Sequence, residues 1–458
     1  MKQTENSPQA SQAVSPVMSP ALASLALSIL LPSLGTSIAN IGLPALMQAF
    51  GASFQAVQWV VLAYLLAITT LIVGAGRLGD LLGRRRLLLA GIAVFSLASA
   101  LCGLATALPL LIAARALQGL GAAIMMALAM ACVGEIIPRE KAGRAMGVLG
   151  SMSAVGTALG PSLGGVLISA AGWPAIFMIL LPPGLLAFVL VHRHLPASPP
   201  AVQQDGTGFD VPGTAILAVT LAAYALALTV GRGDFGGLNL ALLAGAALGL
   251  VLFLQVEARA PFPLIRPGMF RDRPLSAGLA GSALVSTVLM ATLVVGPFHL
   301  SQTLGLDPTR TGLVMSLGPL VAALTATPAG RLVDRLGARP MSLLGLAGIG
   351  GACVLLAVLP TALGVPAYLG PMLILTASYA LFQTANNTGV MGGIAPAQRG
   401  LVSGMLNLSR NLGLITGTAV LGAVFSAGGL QLTFAVATAL IGVAITTLQR
   451  GQGGRDSP

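Results

Sequence analysis

Long apolar runs alternate with short polar turns through nearly the whole chain. A run of about twenty apolar residues, wound at about 1.5 Å per residue, spans a hydrocarbon core of about 30 Å. On that scale the first half predicts helices near 18–49, 56–77, 86–107, 109–134, 142–170 and 173–191. Between the third and fourth the run is almost continuous, and the split is placed near Ala107–Pro109. A polar stretch rich in Pro, Gln and Asp, 192–212, then interrupts the series, and two further apolar runs follow near 213–230 and 237–257. A basic loop over 258–273 leads into helices near 274–299, 309–330, 340–360, 366–391, 399–425 and 429–448. Polar tails, 1–17 and 449–458, close the two ends, the first expected to be disordered. The pattern predicts an all-α polytopic membrane protein with about fourteen crossings, grouped six, two, six.

Two turns repeat. Gly76-Arg-Leu-Gly-Asp-Leu-Leu-Gly-Arg-Arg-Arg86 recurs as Gly330-Arg-Leu-Val-Asp-Arg-Leu-Gly-Ala-Arg-Pro340, with Gly76, Asp80 and Gly83 matching Gly330, Asp334 and Gly337 at an offset of 254. Gly143, Gly147, Gly156 and Gly160 return as Gly400, Gly404, Gly413 and Gly417 at an offset of 257. The chain therefore reads as two copies of a six-helix unit, an organisation common among membrane transporters. The inserted pair and its loops account for the length of the offset.

Composition agrees with the pattern. Of 458 residues 56% are hydrophobic and 8% charged, against about 25% charged in a soluble domain. The runs are continuous and not alternating, which excludes an outer-membrane barrel. The net charge of +11 would suit nucleic acid or anionic lipid, but its placement points elsewhere. Of the 23 Lys and Arg, 19 fall in alternate loops and the tails; Arg232 and Arg310 fall in the other loops, and Arg115 and Arg410 lie inside helices. That distribution is the positive-inside rule, so both termini are expected in the cytoplasm and no nucleic-acid partner is expected. Cys102, Cys132 and Cys353 sit singly within apolar runs, without CxxC spacing or a nearby His. They read as small packing residues, with no metal and no disulfide expected. Nor does the first polar stretch carry a signal-peptide pattern.

Embedded polar groups mark the candidate chemistry. Arg115, with Gln118 one turn on, lies in the fourth helix; Arg410 lies about 15 Å along the thirteenth. Each guanidinium reads either as a structural group held by backbone carbonyls or as a cavity-facing cation for an anionic or carbonyl-bearing substrate. Ser33, Thr36, Ser37 and Asn40 share one helix face, as do Thr376, Tyr379, Gln383, Asn386 and Asn387, and Ser403, Asn407, Arg410 and Asn411. Such stripes serve either as interhelical bonds or as the wall of a substrate pathway. Every acid falls at a helix end or in a loop; Glu135 comes nearest to a proton carrier, and it lies close to the cytoplasmic end. Asp80 can face the N-terminus of a neighbouring helix or pair with a basic group. Gly76 lets helices approach, and Gly83 permits a turn with positive φ. Along the fifth helix Gly156, Gly160, Gly164 and Gly165, with the bend of Pro161, leave one face nearly bare for close helix contact. Gly160-Pro-Ser-Leu-Gly164 matches a hydrolase elbow, yet no strand precedes it and no His or acid stands by Ser162, so no enzyme is expected. A membrane receptor that transports nothing is the remaining class, and the polar stripes argue against it.

These residues resemble the major facilitator superfamily. Gly76–Arg86 is similar to its loop between helices two and three, Arg115-Ala-Leu-Gln-Gly-Leu-Gly121 to its fourth-helix arginine motif, and Gly156 through Gly165 to the fifth-helix motif of antiporters. Leu34-Gly-Thr-Ser-Ile-Ala-Asn-Ile-Gly-Leu-Pro44 resembles the first-helix signature of the fourteen-helix drug:proton antiporter branch. Phe209-Asp210 and Pro263–Arg273 also fit that branch, and the likeness runs from about residue 20 to 448. It implies a monomeric multi-pass exporter of drugs or metabolites in a bacterial cytoplasmic membrane. It also implies rocker-switch motion of two bundles about a central site, with protons and lipids as partners and no cofactor. By resemblance Gly76, Asp80, Gly83, Arg84 and Arg85, with Asp334 and Arg335, form a cytoplasmic gate. Arg115 takes part in coupling, and Gly156 to Gly165 bring the two bundles into contact. At one place the chain departs from the branch: Gly35 stands where an acid is usual. With Arg115 and Arg410 embedded and no deep acid, the sequence favours a neutral or anionic amphipathic substrate. Its alternative reading is a facilitator or exchanger of an organic anion or lipid-like molecule.

Overall fold

A computed structural model describes residues 20–136, 139–196, 210–230, 236–260, 267–392, 394 and 399–452. The expected tail at 1–17, most of the linker 192–212, the Arg232 loop and part of the basic loop 258–273 lie outside the described residues, as do the side chains of Glu135 to Arg144. The helices are α1 (Pro20–Phe50), α2 (Phe54–Leu82), α3 (Arg84–Gly103), α4 (Leu108–Ile136), α5 (Arg139–Ala171) and α6 (Ala175–His194, opening with a separate turn, Ala175–Met178). The inserted pair is α7 (Val211–Thr229) and α8 (Gly237–Arg259). The second half holds α9 (Arg273–Phe298), α10 (Pro308–Leu336), α11 (Ala338–Val358), α12 (Val365–Met391), α13 (399–427) and α14 (430–452). The last two form one continuous apolar stretch, Val402–Gly451, broken where Gly428 and Gly429 leave helical geometry at φ −146° and 69°. Counting that break, the described residues hold fourteen crossings in the order six, two, six.

Local chemistry explains the ends. Asp210, Asp272 and Asp307 each accept a backbone N–H of the first turn of α7, α9 and α10 (2.8, 3.3 and 2.9 Å), and each is followed by a proline within two residues. This N-cap chemistry satisfies donors that a membrane helix end otherwise leaves bare. Gly83 and Gly337 join α2 to α3 and α10 to α11 with φ of 88° and 89°, a conformation that a side chain opposes. The two turns that matched in sequence thus share one backbone geometry, and both lie at the same end of the molecule, here called the basic end.

Each half packs as its own bundle. In the first, α1 lies against α5, and α4 against α2 and α3; in the second, α11 lies against α12, and α9 against α13 and α14. Two large apolar clusters form, one around Leu31, Val61, Phe95 and Phe177, the other around Leu346, Ile349, Phe382 and Phe434. Outward faces are apolar too: α8 leaves Leu240, Leu248 and Val251 exposed, as a lipid-facing helix does. The repeat extends to contacts. Gly156 and Gly160 abut the α1 backbone near Leu30 and Ser37, while Gly413 and Gly417 abut the α9 backbone near Ala283 and Met290. The glycine-lined face thus seats the first helix of each unit on the fifth. Cys102, Cys132 and Cys353 are buried packing residues.

Two expectations change here. Gly76 and Gly330 have nothing within 4 Å of a Cβ, so neither glycine holds a helix against it in this conformation. The fifth-helix glycines do not all join the bundles: Gly156, Gly160 and Gly164 pack within their own bundle, on α1. Gly165 crosses, facing Pro308 and Gly312 of α10 because its side of α5 is rotated away from α1.

The two bundles meet at the end opposite the basic turns. There Gln58 Nε2 donates to the Thr418 carbonyl at 2.9 Å, and Thr309 donates to Ser169 at 2.9 Å. Both bundle-to-bundle hydrogen bonds among the described residues lie at this sealed end. The Thr418 carbonyl belongs to a π-turn, Gly417–Leu421, and accepts from Gln58 within it. Phe54, Phe298 and Phe425 close the same end, with ring centroids 4.6 to 6.4 Å apart. Beside this seam α7 ties into both halves: Trp59 donates to Thr229 at 3.1 Å, and Tyr224 shares a 3.0 Å bond with Thr416.

Candidate functional site

Between the bundles, on the basic-end side of that seal, lies a cavity of about 120 Å³. Its lining includes Ser33, Thr36, Ser37 and Asn40 of α1 and Asn407, Arg410 and Asn411 of α13. Two of the three sequence stripes therefore meet across one space. α5 adds Ser153 and Thr157, which sequence periodicity did not single out. The remaining wall is apolar: Leu65, Ile68 and Ile72 of α2, Met126 of α4, Leu289, Met290 and Leu293 of α9, and Leu414.

The halves of this wall are chemically unlike although they repeat in structure. The contacts of Gly160 and Gly417 place Ser37 opposite Met290 in the repeat. By the same register Thr36 matches Leu289 and Asn40 matches Leu293, so a polar face on α1 confronts an apolar face on α9. Arg410, at the offset set by the glycine repeat, matches Ser153. The cavity is amphipathic, and its one charge comes from the second bundle.

Hydrogen bonds decide which polar groups face the space. Ser33 donates to the Ile29 carbonyl or pairs with Ser153 at 2.8 Å; Thr36 donates to Pro32, Ser37 to Gly156 and Thr157 to Ser153. These hydroxyl protons are taken up inside the bundle, leaving lone pairs toward the cavity. The Asn40 and Asn407 amides donate to Thr36 and Ser403 carbonyls, while Asn40 Oδ1 is buried with no hydrogen-bond partner. Arg410 is exposed and makes neither hydrogen bond nor ion pair among the described residues.

The other sequence candidates lie elsewhere. Arg115 is fully buried within the first bundle. Its Nε donates to the Val60 carbonyl at 2.9 Å and its Nη1 to the Gly35 carbonyl at 3.2 Å and to Gln118 Oε1. Its guanidinium lies over the Tyr64 ring, 4.0 Å from the centroid. Gln118 in turn donates to Ser99 at 2.7 Å. Neither residue lines the cavity; of the two readings of Arg115, its contacts are those of a carbonyl-bound structural cation stacked on an aromatic face. A residue of this size, fully buried, leaves a void when truncated. Arg115→Ala is expected to lower stability by about 3–5 kcal/mol, on the scale of large-to-small core changes. Thermal denaturation of the purified protein measures it; an unchanged melting temperature with lost transport would instead make Arg115 a transport residue.

The α12 stripe also leaves the cavity. Thr376 and Asn386 are buried, the amide of Asn386 donating to the Gly278 carbonyl at 3.0 Å, so it ties α12 to α9. Tyr379 packs at the edge of the second core, and Gln383 and Asn387 each keep one buried oxygen without a hydrogen-bond partner. At the basic end Asp80 accepts from Arg84 Nε and Nη2 at 3.0 and 2.9 Å, and Arg84 Nη1 reaches the Ala131 carbonyl at 3.2 Å. Arg85 donates to the His192 carbonyl. Asp334, the counterpart of Asp80 in the second unit, and the adjacent Arg335 are exposed.

Comparison with known proteins matches residues 25–418 to the family model described as Major Facilitator Superfamily. The riboflavin transporter RibZ of Clostridioides difficile is 29% identical over 402 residues, covering 88% of this chain and 87% of that protein. The multidrug resistance protein Stp of Mycobacterium tuberculosis is 32% identical over 400 residues, covering 85% of this chain and 72% of that protein. Among solved structures, a D-xylose-proton symporter superposes with a TM-score of 0.70 at 16% identity, covering 94% of this chain and 96% of that one.

Proposed function

Because the chain belongs to the Major Facilitator Superfamily and is a secondary transporter of small molecules rather than an enzyme, we propose that it exports amphipathic substrates by alternating access. The observation that carries this reading is the cavity itself. It sits where the two repeats meet, and it is polar along α1 and α13 and apolar along α2 and α9. A molecule with one polar end and an oily body matches that wall.

In this reading the basic end faces the cytoplasm of a bacterial cell, as the loop charges favour. The seal formed by Gln58, Thr418 and the three phenylalanines then faces outward, and the conformation is inward-facing. Asp80, Arg84 and Arg85 form one side of a cytoplasmic gate that is open. The empty faces of Gly76 and Gly330 support this, because small residues are where helix backbones would close when the bundles rock. The reading takes the protein as a monomer, with the cavity lined by its own two bundles.

Proton coupling needs a group that changes charge in the pathway. The lining residues include no carboxylate and no histidine, and Gly35 occupies the usual acid's place. We therefore assign no proton-carrying residue to the cavity. Export is tested by accumulation of a substrate panel in a host stripped of its own efflux pumps, followed by flux in proteoliposomes with and without a pH gradient. Flux is expected to persist when the gradient is collapsed. Strict dependence on the gradient would overturn the uncoupled version and return the protein to proton antiport.

A further inference from the structure

We propose that the cavity selects organic anions, with Arg410 as the residue that recognises the acidic group. The inference rests on the export reading and deepens it, since it concerns the same cavity.

Three observations converge. Arg410 is the only charged residue among those lining the space, and no carboxylate stands there to neutralise it or to attract a cation. Its guanidinium is unengaged among the described residues, so its donors are available to a ligand, in contrast to Arg115, which is fully buried and bound through Nε and Nη1 to groups of its own bundle. The neighbouring hydroxyls have already spent their protons on carbonyls. The donors left over in the cavity are thus the Arg410 guanidinium, the Asn411 amide and the second N–H of Asn40 and of Asn407, and among them Arg410 alone carries charge. A carboxylate or sulfonate accepts two parallel N–H bonds from a guanidinium, a geometry that neither an ammonium nor an ester reproduces.

The rest of the wall fixes the body of the ligand. Leu289, Met290 and Leu293 stand across from the α1 stripe, and Leu65, Ile68 and Ile72 extend the apolar surface. An anion bound there carries an aromatic or aliphatic body against these side chains, with its acid turned to α13. The asymmetry of the repeat underlies this: Ser153 occupies in the first unit the position that Arg410 occupies in the second. A cation lacks any counter-charge in the space and meets the Arg410 field, which disfavours it in a low-dielectric site.

Two fluorophores that share one body test the proposal. Anilinonaphthalene sulfonate carries a sulfonate; N-phenylnaphthylamine is the same ring system without it. Binding is measured to the full-length protein in nanodiscs, with signal from protein-free discs subtracted. Wild type is expected to bind the sulfonate at least ~10-fold more tightly than the neutral dye. Arg410→Gln is expected to weaken the sulfonate by ~10-fold or more and to leave the neutral dye within about twofold, while Arg410→Lys keeps most of the preference. Equal binding of the two dyes, equal weakening of both by Arg410→Gln, or no binding of either above the disc background each overturns the proposal. The export reading is scored separately in the efflux-deficient host. Export without anion preference sinks this inference alone, and anion preference without export sinks the transport reading alone.

Discussion

Replacing Gly165 or Gly312 by leucine is expected to cut transport by ~5- to 150-fold while leaving both bundles folded. The two glycines are reciprocal. A Cβ on Gly165 meets the Pro308 carbonyl and lies 3.2 Å from Gly312 Cα; a Cβ on Gly312 meets the Pro161 carbonyl and lies 3.2 Å from Gly165 Cα. Both obstacles are backbone, which cannot rotate aside as a flexible side chain can. Inserting bulk at a packed contact costs about 1–3 kcal/mol, which corresponds to the stated range in an equilibrium between two states. Since this contact joins α5 to α10 across the bundles, the cost falls on the sealed conformation and not on the fold of either half. Flux in proteoliposomes measures the loss. Accessibility of a cysteine placed at Ser169, whose hydroxyl meets Thr309 at 2.9 Å, reports whether the sealed end has opened. A leucine variant with wild-type flux and a protected cysteine would remove this contact from the transport cycle.

Reversing the membrane potential is expected to reverse net flux of an anionic substrate. The charge of Arg410 stays with the protein, and none of the lining side chains is a carboxylate or histidine able to hand over a proton. An anion that crosses alone then carries one charge through the field, worth about 2.3 kcal/mol per 100 mV, or roughly a 50-fold concentration ratio. An inside-negative cell would drive such a substrate outward without proton exchange. A potassium diffusion potential imposed with valinomycin, positive or negative inside, tests this with the pH held equal on both sides. Flux that ignores the potential but follows a pH gradient would show that protons supply the driving force after all.

Much of the architecture was legible because periodicity and loop chemistry are local. Apolar run lengths placed the crossings, and Gly83 and Gly337 announced two turns that share φ near 90°. The stripes on α1 and α13 met as a cavity wall, since a polar face in a lipid-solvated bundle has to turn inward. The limits lie in rotation and partner choice. On α12 the same periodicity, in Thr376, Asn386 and their neighbours, serves interhelical bonds because that face turns to α9. Arg115 looked equivalent to Arg410 along the chain, yet one is sealed beneath Tyr64 and the other lies open. Gln58 carried no signal, because its partner is a backbone carbonyl in a π-turn 360 residues away. Ser153 and Thr157 could have been found by following the repeat: Ser153 is the position that matches Arg410.

The inserted pair makes the two sides of the molecule unlike. Two lateral seams run between the bundles, one between α2 and α13 and the other between α5 and α10. Helix α7 leans on α2 through Trp59 and on α13 through Tyr224, and its Leu217 and Leu221 share an apolar cluster with Leu279 and Met405. It therefore lies over one seam, while among the described residues no hydrogen bond ties an inserted helix to the other. A solute approaching from lipid would meet α7 on one side of the molecule and helices α5 and α10 themselves on the other.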